Sequence, residues 1–132
     1  MLLFQFPGIA EEWLRADDFR NLREWSRHPD IETVVARLRD PAALTASLAL
    51  YRAILPPESL LAPPVELPPV TVPAMGVWSS GDFALLEEGM TGSAAFVKGP
   101  WRYERVENAG HWPQLDAPDA VNALLLDFLA SG

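Results

Sequence analysis

Apolar positions recur with helical periodicity through the first 54 residues of the chain. The pattern predicts a helix over 9–16, a second that Asp17 caps, a third after Asp30 and a fourth from Pro41 to about Ile54. The third helix shows the i, i+3, i+4, i+7 spacing of one buried face, at Ile31, Val34, Val35 and Leu38. We therefore expect residues 1–55 to form a helical region.

A proline-rich stretch follows this helical region. Seven of the 13 prolines lie between positions 56 and 73. Proline has no N–H to donate and a fixed φ, so we predict an extended, polyproline-like connection over residues 56–71 rather than a helix. The expected organisation is therefore a helical region over 1–55, a connection over 56–71 and a second region over 72–132.

The second region has a different periodicity. The apolar run from Val72 to Trp78 is typical of a buried strand, and Trp101 to Val106 predicts another strand. Helices are predicted over Phe83 to Met90 and from Pro118 onward. This order is a βαβα unit, which gives parallel strands joined by a right-handed crossover, so the predicted fold class is α/β.

Composition restricts the chemistry that the chain can perform. The net charge of −8 argues against a nucleic-acid partner, because phosphate binding needs clusters of Lys and Arg. The chain has no cysteine, and its two histidines, His28 and His111, form no paired motif, so we expect no metal site and no cofactor. It shows neither a signal peptide nor a membrane-spanning apolar run, so we expect a cytoplasmic protein without a membrane partner.

Two residues that could act together in catalysis follow the two predicted strands. Asp82 lies on the turn after the first strand, and His111 on the turn after the second. A lone turn histidine more often makes a structural hydrogen bond, and a lone aspartate is more often a turn former. Parallel strands, however, bring both turns to one sheet edge, where α/β folds bind ligands. The pair therefore indicates a catalytic base, His111, oriented by an acid, Asp82.

Several segments resemble the C-terminal half of an α/β-hydrolase, and in detail its epoxide-hydrolase-like branch. Residues 72–82 are similar to that fold's penultimate strand and acid turn, and 110–118 to its histidine turn and the start of its last helix. Residues 4–11 resemble the opening of the helical cap in bacterial epoxide-hydrolase-like proteins, and 50–53 a later cap helix. The resemblance covers nearly the whole chain in matching order.

The resemblance implies a partial α/β-hydrolase fold, in which a helical cap precedes a βαβα part of the core. In that superfamily the chain order is nucleophile, acid, histidine. It implies that His111 activates water, that Asp82 orients His111, and that Tyr51 polarises the oxygen of a small apolar epoxide. Trp112, beside His111, is expected to contact the substrate. Without the resemblance, the helical spacing of Tyr51 indicates a core residue.

The sequence departs from the family pattern in one respect. Neither Gly-x-Ser-x-Gly nor Gly-x-Asp-x-Gly, the patterns of a nucleophile elbow, occurs in the 132 residues. We therefore expect a truncated enzyme that is inactive without its N-terminal half, with the nucleophile, aspartate or serine, unidentified. A haloalkane dehalogenase or a serine esterase would use the same Asp82 and His111. A further alternative is a non-catalytic remnant or binding module that associates with a complementary N-terminal chain or with itself.

Overall fold

The computed structural model describes residues 2–54, 56–63 and 67–131. The chain divides into two compact units, Met1–Val65 and Glu66–Gly132. Residues 55 and 64–66, where the predicted cap ends and within the predicted proline-rich connection, lie outside the described residues.

The first unit is helical. It contains a 3-10 turn over Leu2–Gln5 and three α-helices, α1 (Ile9–Ser26), α2 (Ile31–Leu38) and α3 (Pro41–Ile54). Its core is a cluster of eight buried side chains: Phe4, Ala10, Leu14, Phe19, Leu22, Val35, Leu44 and Leu48. The predicted bounds of the last helix are confirmed, and the predicted apolar stripe of α2 packs against or within this core.

Helix α1 consists of two helical segments separated by a break. Ala16 is extended, with ψ 139°, and Asp17, Asp18 and Phe19 have left-handed φ values of 49°, 53° and 63°. The division of this stretch into two helices is therefore confirmed. The prediction that Asp17 caps the second segment is wrong, because Asp17 is itself in the left-handed region and its carboxylate pairs with Arg20 at 2.6 Å.

The described part of the proline-rich stretch is not uniformly extended. Pro56 has polyproline-like dihedrals, but Pro57–Leu60 forms a 3-10 turn. The backbone N–H of Ser59 donates to the Pro56 oxygen at 2.9 Å, which closes the turn. Proline at the first position of a helical turn has no N–H to lose there, so the prolines permitted a structure that we had expected them to exclude.

The second unit is built on two parallel strands, as predicted. Strand β1 (Ala74–Ser79) pairs with β2 (Trp101–Val106) in a register that runs from Ala74↔Trp101 to Ser79↔Val106. Two helices follow β2, the short α5 (Pro113–Asp116) and α6 (Pro118–Ala130). The core here consists of Val106, Ala109 and Val121, with Val77, Ala117 and Leu124 packed against it.

The connection between the strands differs from its prediction. The expected helix over 83–90 is wrong: residues 83–86 are bends and an extended residue, α4 spans Glu87–Gly92, and a 3-10 turn covers Ser93–Phe96. The loop between Asp82 and α4 has hydrogen bonds of its own. The N–H groups of Ala84 and Leu85 donate to the Asp82 carboxylate, and the Leu85 carbonyl accepts from Trp78. The helix begins after Leu86, which has extended dihedrals.

Candidate active site

Asp82 and His111 lie side by side at the carboxyl ends of the two strands. Asp82 comes three residues after the end of β1, and His111 five residues after the end of β2. The His111 Nδ1 atom is 3.0 Å from each of the two carboxylate oxygens of Asp82. The structure therefore brings together the two residues that the sequence indicated as acid and base.

Hydrogen bonds join the turn that carries Asp82 to the turn that carries His111. The Gly81 N–H donates to the Ala109 carbonyl at 2.9 Å, and the Asn108 N–H donates to the Ser80 hydroxyl at 2.9 Å. The buried Ser79 hydroxyl donates to the Gly110 carbonyl. A Cβ on Gly81 would lie 2.7 Å from the Ala109 oxygen, so this close approach requires glycine.

The environment of Asp82 keeps it ionised. Its side chain is only 7% exposed, and this burial acts to raise its pKa. The backbone N–H groups of Ala84 and Leu85, at 2.7 and 3.0 Å from Oδ1, and the hydrogen bond with His111 outweigh burial and lower the pKa of Asp82 below its usual value. A carboxylate held in this way accepts a hydrogen bond from Nδ1–H and stabilises an imidazolium.

The ring of His111 is flanked by two aromatic rings. Phe83 lies with its centroid 5.6 Å from the imidazole, and Trp112 lies edge-on at 5.3 Å. The His111 side chain remains 29% exposed. The Asp116 carboxylate accepts the Gly110 N–H at 2.8 Å and so holds the turn before His111. Trp112 was expected beside His111, whereas Phe83 and Asp116 were missed, because neither carries a distinct sequence signal.

Tyr51 lies in the first unit, on α3. It is partly buried, packs against the helical core, and its ring meets Phe4 edge-on at a centroid distance of 5.1 Å. It lines an apolar cavity of about 130 Å³, together with residues of the core. The helical spacing had indicated this core environment.

The turn of α3 that carries Tyr51 is fixed by its neighbours in the first unit. The Gln5 side chain donates to the Tyr51 carbonyl at 3.0 Å. The Arg52 guanidinium donates to the Phe4 carbonyl at 2.8 Å and to Glu11 at 3.0 and 3.1 Å. These bonds with Arg52, acting against burial, lower the pKa of Glu11 below its usual value. The position of Tyr51 is therefore held through its backbone and through the adjacent side chain.

The arrangement in the second unit has the chemistry of a histidine base. Within residues 2–54, 56–63 and 67–131 no three His, Asp or Glu side chains are grouped as metal ligands. In the same ranges no helix has the length and apolar character needed to cross a membrane. An imidazole that donates Nδ1–H to a carboxylate leaves Nε2 as the basic nitrogen, which can remove a proton from water or from a nucleophile.

Comparison with known proteins finds epoxide hydrolases among the relatives. Over 98% of its length the chain is 31% identical to epoxide hydrolase 3 of Xenopus tropicalis, and over 96% it is 29% identical to human epoxide hydrolase 4. A shorter match, 33% identical over 60 residues, is to epoxide hydrolase A of Mycobacterium tuberculosis. The chain spans only 38% and 37% of the first two relatives, in their C-terminal part. No family model matches the sequence.

A solved structure supports the same fold. The crystal structure of Bacillus megaterium epoxide hydrolase in complex with an inhibitor superimposes with a TM-score of 0.66 at 23% identity, covering 96% of this chain and 49% of that one. The predicted fold class, a partial α/β-hydrolase fold, is confirmed.

Proposed function

We propose that this chain, which corresponds to the C-terminal part of an α/β-hydrolase of the epoxide-hydrolase type, supplies the catalytic base and its orienting acid for hydrolysis of an epoxide. Residues 1–55 act as the cap, and residues 72–132 as the part of the core that carries His111 and Asp82. The observation that carries the proposal is the contact of His111 Nδ1 with both oxygens of Asp82, at 3.0 Å.

The proposed reaction has two steps. A carboxylate from the N-terminal part of the fold attacks an epoxide carbon, the ring C–O bond breaks, and the released oxygen takes up a proton to give a hydroxy ester. His111 Nε2 then removes a proton from water as the water oxygen attacks the ester carbonyl. The acyl C–O bond breaks, and His111 passes this proton to the departing diol oxygen. The second water proton returns to the group that protonated the epoxide oxygen, so the carboxylate is regenerated.

Two side chains are assigned to the substrate. Tyr51 donates its hydroxyl proton to the epoxide oxygen in the first step, and Trp112 provides an apolar contact beside the base. A small apolar substrate is what the resemblance to epoxide hydrolases implies. The same Asp82 and His111 would serve a haloalkane dehalogenase or a serine esterase, but the relatives over almost the whole chain carry the epoxide-hydrolase name.

The test is a chimera in which the N-terminal part of the Xenopus relative precedes this chain. We expect the chimera to convert an aryl epoxide to its diol. His111→Gln should stop turnover at the ester, because only the second step needs the base, and mass spectrometry should then detect the chimera with one epoxide mass added. His28→Gln, in the first unit, is the matched control and should retain turnover. Full turnover by the His111→Gln chimera would contradict the proposal.

A second candidate function is a non-catalytic module that binds a complementary N-terminal chain or a second copy. The observation in its favour is the apolar surface of α6, where Leu126 and Leu129 are 70% and 74% exposed. Size-exclusion chromatography of the 132-residue chain, alone and mixed with the N-terminal part of the Xenopus relative, distinguishes self-association from binding of an N-terminal chain. Epoxide hydrolysis that depends on His111 in the 132-residue chain by itself would refute the non-catalytic alternative.

A further inference from the structure

The carboxylate of Asp82 is held by a residue whose backbone is in turn held by the sheet. Leu85 donates its N–H to Asp82 Oδ1 at 3.0 Å. Its carbonyl accepts the indole Nε1–H of Trp78 at 3.0 Å. Leu85 therefore links Trp78, on β1, to the acid of the site through its own two backbone groups.

Trp78 is itself fixed in the sheet. It pairs with Arg105 in the register of β1 and β2, and the Arg105 guanidinium carbon lies 5.4 Å from the centre of the indole ring. Arg105 also reaches Glu87 at 3.3 Å, at the start of α4. The Tyr103 hydroxyl donates to Glu87 at 2.6 Å, and burial together with this bond raises the pKa of Tyr103 to about 12, so it stays a donor.

The loop between Asp82 and α4 is thus attached to the sheet at two points. One is the Trp78 bond to Leu85, and the other is the contact of Glu87 with Tyr103 and Arg105. The Leu85 side chain contributes little to the attachment, since it is 56% exposed. The backbone of the loop, and with it the second donor to Asp82, therefore depends on an indole N–H.

We propose that Trp78 is a positioning residue for the Asp82–His111 pair and acts through the backbone of Leu85. This inference rests on the proposed function of the pair. Without the indole donor the Leu85 carbonyl loses its partner in the sheet, the loop moves, and Leu85 N–H no longer holds Oδ1. Asp82 would keep only the Ala84 N–H and the contact with His111, and its carboxylate would turn more freely.

The test is Trp78→Phe in the full 132-residue chain, which keeps an aromatic ring and removes only the N–H donor and part of the indole. We expect the Leu85 amide to exchange its hydrogen roughly tenfold faster, as the loss of one hydrogen bond predicts. The pKa of the Asp82 carboxyl, followed by carbon NMR, should rise. Trp101→Phe on β2 is the matched control and should change neither quantity.

A double-mutant cycle separates positioning from a general loss of packing. In the Asp82→Ala background, which removes the acceptor of the Leu85 N–H, Trp78→Phe should have a smaller effect on the exchange rate of the Leu85 amide. Additive effects would overturn the proposal. If Trp78→Phe fails to fold, hydrogen exchange in the unmodified chain provides the test. An indole proton of Trp78 that exchanges as fast as in an unfolded peptide would also overturn the proposal. None of these measurements requires turnover, so they still test the role of Trp78 if the hydrolase assay of the proposed function fails.

Discussion

Replacing Asp82 with asparagine should reverse the tautomer of His111 while leaving the fold in place. The aspartate Oδ1 accepts the N–H groups of Ala84 and Leu85, and an asparagine oxygen can accept both of them. The amide nitrogen then replaces Oδ2 and presents N–H groups to Nδ1. Since Nδ1 can only accept in that contact, the proton of neutral His111 moves to Nε2, the nitrogen that should act as the base.

The contacts of Asp82 also set the loss of turnover and the loss of stability that we expect for Asp82→Asn. A histidine held in the wrong tautomer has lost its base, and for a serine protease triad this costs about 10⁴-fold in kcat, so we expect a loss on the order of 10³–10⁴-fold in the chimera. The stability loss should be only about 1 kcal/mol, because neutral hydrogen bonds replace charge-assisted ones at the same positions. Asp82 is 7% exposed, so solvent screening reduces this value little.

Nitrogen NMR of the imidazole measures the tautomer without any turnover. The unmodified chain should show Nδ1 protonated and Nε2 as the basic nitrogen, and Asp82→Asn should show the reverse. Asp116→Asn is the matched control, because that carboxylate accepts the Gly110 N–H and no bond joins it to the ring of His111 among those described. An unmodified chain with its proton on Nε2, or an Asp82→Asn chain with no change, would refute this reasoning.

Three further predictions concern stability. Gly81→Ala should destabilise the chain by about 1–3 kcal/mol in urea unfolding, because its Cβ would lie 2.7 Å from a backbone oxygen. The control, Gly92→Ala, lies in α4 with open space around it and should stabilise the chain by up to about 1 kcal/mol. Equal effects of the two substitutions would contradict the close approach at Gly81. Leu44→Ala, at a side chain 1% exposed, should lower the free energy of unfolding by about 2–5 kcal/mol. The control, Leu126→Ala, at a side chain 70% exposed, should lower it by less than about 0.5 kcal/mol. Similar urea midpoints for the two variants would show that the helical core is not packed as described. The pKa of Glu11 is lowered in the folded chain, so its contribution to the free energy of unfolding is present above the unfolded glutamate pKa of about 4.3 and disappears as the pH falls through the folded value. Glu11→Gln should therefore reduce the loss of stability between neutral and acid pH. An unchanged loss of stability at acid pH would count against the ion pair with Arg52.

The sequence could predict the contact between Asp82 and His111 because it depends on topology alone. Two strands of a βαβα unit are parallel, and the turns that follow parallel strands share one edge. The core position of Tyr51 could be predicted for a similar reason, since helical spacing assigns it to the apolar stripe. The role of Tyr51 toward a substrate came only from resemblance and remains a prediction.

Other features could not be predicted because distant groups decide them. The start of α4 at Glu87 instead of Phe83 accompanies the hydrogen bond from Trp78 to the Leu85 carbonyl, a contact that no local propensity records. The left-handed Asp17 and Asp18 are unfavourable for most residues, although aspartate tolerates this region better than others. The local sequence pattern predicts that Asp17 caps a helix. In the structure the helix breaks at this point, and Phe19, which follows, packs into the core.

The acid loop has a consequence for how the sequence can vary. Ala84 and Leu85 serve Asp82 through main-chain N–H groups, which nineteen amino acids provide and only proline lacks. A saturation library should therefore accept almost any side chain at these two positions and reject proline at both. The side chains of Trp78 and Asp82 have no such substitutes, so sequence variation should be wide at positions 84 and 85 and narrow at Trp78 and Asp82.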